Sequence, residues 1–279
     1  MEVLSYAQLR RRVPQPGFTR LHALDFHHLT LIDRGESTTT IDFVDHPCQP
    51  GTLLHVRPGQ VQRLPHTADG EPGDHDGTLI LFTPDFPARQ PATTPLTDAP
   101  FGRVHWQLTP ADHTLFRRAL ADLTDAYTLP PDHAPDTVRE LLRHQLTAIL
   151  LRVALLPAAD NSPGGGREGP VAENEPYRLF RHELERSFAV RHQAQDYATG
   201  LGYSLKTLNR ACTRATGRSA KQLIDDRIAL EAKRLLAHTG LPVAAISHRL
   251  GFTEPTNFSK FFTRASGQTP GAFREAQAI

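Results

Sequence analysis

Two rhythms of apolar residues divide the 279-residue chain. Up to about residue 105 the apolar runs are short and broken by Gly and Pro: 27–32 (HHLTLI), 38–44 (TTTIDFV), 51–56 (GTLLHV), 61–64 (VQRL) and 78–82 (TLILF). Their β-branched content and spacing predict strands of an antiparallel sandwich or barrel. Two helices are predicted next. Residues 111–127 place Leu115, Leu120 and Leu123 at helical spacing. Residues 137–156 carry Val138, Leu142, Leu146, Ile149, Val153 and Leu156, steps of three and four that draw an apolar stripe along one helix. Such a stripe packs on its own barrel or forms a two-helix dimer seam, here through Leu142, Leu146, Ile149 and Val153.

From Tyr177 onward the pattern is one of short helices, the first marked by Phe180, Leu184 and Phe188. A motif then occurs twice, as ATGLGYS at 198–204 and SHRLGFT at 247–253, each followed by an amphipathic stretch. Leu201, Gly202, Tyr203 and Ser204 match Leu250, Gly251, Phe252 and Thr253 at an offset of 49. Leu208, Arg210, Cys212, Arg214 and Gly217 match Phe258, Lys260, Phe262, Arg264 and Gly267 at an offset of 50, so the second copy's helix begins slightly differently. Each copy has the parts of a helix-turn-helix. Ala198 or Ser247 lets two helices approach, and Gly202 or Gly251 can take the positive φ that ends the first helix. Tyr203 or Phe252 plugs the corner, and Ser204 or Thr253 stands where an N-cap is needed. Residues 220–237 form a long helix between the copies. A stacked helical repeat is the plain alternative, but two copies are too few for it, and the Gly-aromatic-Ser/Thr corner points to DNA binding.

Composition taken over the whole chain opposes that reading. With 31 Lys+Arg and 30 Asp+Glu the formal net charge is +1. Residues 158–170 (AADNSPGGGREGP) form a Pro/Gly-rich break that reads as a linker. Cut there, residues 171–279 carry 16 Lys+Arg against 10 Asp+Glu, a net of +6, and residues 1–170 carry 15 against 20, a net of −5. The basic half is the one with the duplicated corner. No run of 18 apolar residues occurs, and MEVLSYAQLRRRVPQPG does not read as a secretory signal, so no membrane partner is expected. Only Cys48 and Cys212 are present, which suits a reducing cytoplasm.

These residues resemble the AraC/XylS family of bacterial transcription regulators. The match spans about 174–276, and its most specific run is GFTEPTNFSKFFTRASGQTPGAFR at 251–274. The resemblance implies an α+β chain of two domains. A cupin-like β-barrel or sandwich with two helices, for ligand sensing and dimerisation, occupies 1–157. A linker follows at 158–172, and an all-α domain with two helix-turn-helix motifs occupies 173–279. It also implies recognition helices in successive major grooves, roughly 34 Å apart. Carried over by position, the DNA-binding residues are Lys206, Thr207, Asn209, Arg210 and Arg214 in the first unit, and Thr256, Asn257, Lys260 and Arg264 in the second. Gly202, Ser204, Gly251 and Thr253 make the turns. Arg and Lys suit guanine O6 and N7, and Asn suits adenine. Cys212 stands where the family has a large aromatic residue and reads as a small buried apolar one.

The N-terminal resemblance rests on 25–64 and on TLILFTPDF at 78–86, and it is to an architecture. Cupin enzymes bind metal through a His-x-His…Glu set and a later His. Here Gln62 takes the last position, and adjacent His27 and His28 face opposite sides of a strand. No metal site, cofactor or catalytic residue is expected, and the 15 histidines read mostly as surface and loop residues. His28, His55, Arg57, Gln60 and Arg63 are the candidates for a ligand pocket. The implied partners are double-stranded promoter DNA, a second copy of the chain, a small-molecule effector and RNA polymerase, at the bacterial nucleoid. A metal-dependent cupin enzyme with an accessory DNA-binding tail is the rival reading.

Overall fold

The computed structural model describes residues 1–13, 20–67, 69, 73–97, 102–130, 133–157 and 175–277, and the expected linker lies outside them. The chain forms two compact units, Met1–Ala159 and Asp160–Ile279. Among the described residues the first unit contains β1 (Glu2–Ser5), α1 (Tyr6–Arg12), β2 (His22–Ala23), β3 (His27–Arg34), β4 (Ser37–Ile41), β5 (Val44–Cys48) and β6 (Thr52–Val56). It continues with β7 (Val61–His66), β8 (Asp76–Phe82), α2 (Thr94–Thr97), β9 (His105–Gln107), α3 (Pro110–Tyr127) and α4 (Pro135–Leu155).

The strands form two antiparallel sheets, ordered β1-β8-β3-β6-β9 and β2-β7-β4-β5, so the architecture is a sandwich rather than a closed barrel. The first six residues of β3, at the centre of the five-stranded sheet, are buried throughout because that sheet is covered on both faces. Leu4, Tyr6, Ile32, Ile41, Leu54 and Leu79 form one core between the sheets. Leu29, Leu31, Ile80 and Phe82, on the opposite face, pack under α3 and α4.

Two sequence expectations change here. The run 38–44 is a hairpin, not one strand, because Asp42 and Phe43 take positive φ (50° and 68°) between β4 and β5. Asp42 tolerates that conformation because its carboxylate accepts hydrogen bonds from Val61 N (3.1 Å) and Gln60 Nε2 (2.7 Å). The stripe on α4 is no dimer seam: Leu142, Leu146, Ile149 and Val153 are buried in the core shared with α3 and the five-stranded sheet. The opposite face of α4 leaves Leu141 (44%) and Leu155 (84%) exposed. On α3, Leu115 is likewise outside, and Phe116 takes the core position.

The second unit is helical: α5 (Glu175–Ser187), α6 (Ala194–Gly200), α7 (Leu205–Thr216), α8 (Ala220–His238), α9 (Val243–Arg249), α10 (Pro255–Ser266) and α11 (Pro270–Gln277). Ser219 and Gln222 form a reciprocal capping box at the start of α8. Buried Arg227 on α8 donates from Nε to Glu185 of α5 and from Nη1 to Glu231, each at 2.9 Å. Its guanidinium also lies 3.8 Å from the centre of the Phe188 ring. These contacts brace the long helix against the first helix of the unit.

Candidate functional site

The two corners have the same construction. Gly202 and Gly251 sit at φ 73° and 78°, and in each unit the aromatic residue's N–H closes the turn, Tyr203 on Ala198 O and Phe252 on Ser247 O. Gly251 is also required by space, since a Cβ there would collide with the Ala189 carbonyl oxygen. Ala198 and Ser247 are fully buried where the helices cross. Phe252 packs between His192, Phe258 and Phe261.

The recognition helices differ at their starts. Ser204 caps α7 by accepting from Thr207 N at 3.1 Å, and its hydroxyl also pairs with that of Thr207 at 2.9 Å. Thr253, expected to cap the second, does not: the cap position is Glu254, which makes no side-chain cap bond, and Pro255 opens α10. The one-residue change of offset in the sequence has this physical form.

Each helix buries one face and exposes the other. Leu208, Ala211 and Cys212 of α7, and Phe258, Phe261 and Phe262 of α10, are in the core. Burial pushes the Cys212 thiol up to about 12, which removes it from redox chemistry at neutral pH. Lys206, Arg210 and Arg214 lie exposed one turn apart along α7, and Thr256, Lys260 and Arg264 take the equivalent places on α10. Asn257 is exposed beside them. The Arg264 guanidinium is 5.9 Å from the Phe261 ring centre. Asn209 departs from the set. It is half-buried, and its Oδ1 accepts from Ala220 N at 3.0 Å, so its amide helps start α8 and cannot also grip adenine through both atoms.

In the first unit the expected pocket residues separate. Arg57 is 2% exposed and donates to three carbonyl oxygens: Nε to Leu96 (2.8 Å), Nη1 to Gly102 (3.1 Å) and Nη2 to Arg103 (3.1 Å). Gln60 is equally internal, accepting from Arg57 N and donating to Asp42. Both are pillars of the fold, not ligand groups. His55 is fully buried on the helix-facing side of the sheet, with its Nε2 3.1 Å from His27 Nδ1. Arg63 points away from the cavity lined by its neighbours Gln62 and Leu64. Only His28 of the five lines that cavity, which lies between the sheets beside α1 and measures about 610 Å³.

Ten of the 15 histidines are exposed or half-buried, and His27, His28, His55, His66 and His75 are the buried exceptions. Burial holds His28 and His75 down to about 4 and His55 well below its usual range. Nothing in strand periodicity could have found the His27–His55 pair, whose members are 28 positions apart. Among the described residues no group of three or more His, Cys, Asp or Glu side chains could hold a metal ion, and no helix is long and apolar enough to cross a membrane.

Residues 197–276 match the model of a helix-turn-helix domain. The chain is 24% identical over 271 residues to the HTH-type transcriptional activator RhaS of Escherichia coli strain SMS-3-5, covering 95% of this chain and 91% of that protein. Among solved structures, the C-terminal domain of AraT, a response regulator from Geobacillus stearothermophilus, is 26% identical with a TM-score of 0.37, covering 39% of this chain and 90% of that one. ToxT from Vibrio cholerae O395 is 9% identical with a TM-score of 0.41, covering 92% and 91%. With its paired corners and the helix-turn-helix match placed over them, the chain carries a DNA-binding helix-turn-helix domain at 197–276 and is similar to transcription regulators of the AraC type.

Proposed function

We propose that this regulator reads promoter DNA with α7 and α10, and that a small molecule in the N-terminal sandwich controls it. The observation that carries the reading is the matched exposure of Arg210 with Lys260 and of Arg214 with Arg264 on helices whose other faces are buried. Lys206, Arg210, Thr256, Asn257 and Lys260 lie toward the leading ends and contact bases, while Arg214 and Arg264, two turns further along, hold phosphates. Asn209 and the Thr207 hydroxyl keep the corner and the next helix in place. The protein catalyses no reaction, and its cellular place is the cytoplasm, on the nucleoid, where RNA polymerase is its partner in transcription.

A second copy of the chain completes the regulator. The outer face of α4, with Leu141, Ala148 and Leu155 at intervals of seven, is the surface a partner would cover. Leu141→Glu/Leu155→Glu should then elute as a monomer in light-scattering chromatography.

The DNA reading is tested by selecting binding sites from random duplexes and footprinting them. Arg210→Ala and Lys260→Ala should each weaken the selected site by about 1–3 kcal/mol and relax preference at one half-site only. Footprints indistinguishable from those of the parent protein would remove α7 and α10 as readers.

A further inference from the structure

The cavity between the sheets has a chemistry that selects its occupant. Most of its wall is aliphatic or aromatic, with Leu24 and Phe26 at one side and Leu64, Leu79 and Leu81 at the other. Apart from Glu2, Arg12 and Arg20, the polar part is a chain of hydrogen bonds that reaches inward from His22. His22 Nδ1 donates to Arg20 O at 3.2 Å, which leaves its Nε2 to accept from Gln62 Nε2, also at 3.2 Å. Gln62 Oε1 then takes the proton of His28 Nδ1 at 3.2 Å, and His28 Nε2 accepts from Thr30 Oγ1 at 2.6 Å. Each imidazole in this chain carries one proton and uses both nitrogens, so both rings are neutral. His28 and Gln62 are only 5% and 2% exposed. A carboxamide has two N–H donors, and one of those on Gln62 suffices for His22.

We infer that the cavity takes a neutral, mostly apolar molecule with one hydrogen-bond-accepting oxygen, such as a ketone, held by the second N–H of Gln62. This rests on the sensor role proposed above. A volume of about 610 Å³ is that of an ordinary small-molecule site. A sugar-like polyol is disfavoured, because its several hydroxyls would be buried against leucine with no partners. An anion is disfavoured as well. The two arginines of its lining, Arg12 and Arg20, are both exposed, Arg12 already pairs with Glu2, and the buried polar chain offers no cation to a group held deep in the cavity.

Nile red, a neutral dye with a carbonyl oxygen, serves as the probe on the full-length protein. It should bind saturably at one per chain, and 2-decanone should displace it at concentrations roughly tenfold below those of decanoate, with glucose ineffective. Gln62→Leu should lower the affinity for 2-decanone about 5- to 10-fold while leaving Nile red fluorescence saturable. Leu24→Phe, which narrows the cavity from its half-buried side, should weaken both ligands and checks the site should Gln62→Leu fail to fold. Stronger displacement by decanoate or glucose overturns the assigned ligand class and leaves the sensor role standing. Saturable 2-decanone binding that leaves affinity for a selected DNA site unchanged supports the class and refutes the sensor role. No saturable binding of any of the four compounds overturns both.

Discussion

Replacing Arg57 by Met separates a structural role from a ligand-binding one. Methionine keeps much of the buried aliphatic volume and removes every donor. Three buried carbonyl oxygens, those of Leu96, Gly102 and Arg103, would lose their partner. Each unsatisfied group costs about 1–3 kcal/mol, and partial relaxation brings the expected loss to roughly 3–5 kcal/mol. The cost is large because one guanidinium ties two segments together: Leu96 follows the start of α2, and Gly102 and Arg103 lead into β9. A Cβ at position 102 would itself collide with the guanidinium, so the segment is fitted to the arginine. For a unit of this size 1 kcal/mol moves the melting midpoint by about 2–4 °C, so a drop of roughly 6–20 °C is expected. Trp106, the only tryptophan, lies buried in β9, so its fluorescence reports this unit alone. A midpoint within about 2 °C of the parent would refute the structural account. Loss of effector response at an unchanged midpoint would return Arg57 to the ligand.

Acid should unfold the sandwich: His28 and His75 are held neutral down to about 4, below their unfolded value near 6.5, so their contribution is full above 6.5 and is lost as pH falls toward 4. At roughly 3 kcal/mol each this matches a typical domain's whole stability, and a Trp106 fluorescence titration flat between pH 7 and about pH 4 would contradict it. Arg227→Met takes from half-buried Glu185 its ion-pair partner and from Glu231 one of two, Arg234 remaining at 3.5 Å, and should cost up to about 3–5 kcal/mol in urea denaturation followed by circular dichroism. Adding Glu185→Leu should restore part of that loss, and a double variant weaker than the single one would refute the pairing. Asn209→Ala should cost about 0.5–2 kcal/mol of stability yet leave the base preferences of selected DNA sites unchanged, whereas a changed preference would make it a reader after all.

How far the sequence could be read depended on whether a residue's role was set by its near neighbours. The double corner was legible because a sharp turn needs a small residue, a glycine, an aromatic plug and a cap at fixed offsets. Even the displaced start of α10 left its mark as the change of offset. The sandwich was legible as strands, but β1 and β9 are too short for a pattern to declare them. The stripe on α4 announced burial without saying against what, and the answer lies in Leu29, Ile80 and Phe82, more than fifty positions upstream. Arg57 and Gln60 misled because polar residues around a Pro-Gly turn usually face solvent. Their burial follows from carbonyls and a carboxylate that only the finished fold brings together. His28 and Gln62 could be named as strand residues, but their joint enclosure in a leucine-walled space depends on both sheets.

The brace of Arg227 between Glu185 and Glu231 has a consequence for the operator. Through α8, 19 residues or roughly 28 Å of helix, the two helices proposed above as readers of DNA are mounted on one stiff bar. A flexible tether would let them find half-sites at several separations; a bar sets one separation and one angular phase around the duplex. Five extra base pairs between the half-sites would turn the second groove to the far side of the DNA, where α10 has no way to follow. The ion pairs inside this small domain therefore act as a gauge, and what they measure is the length of the DNA word.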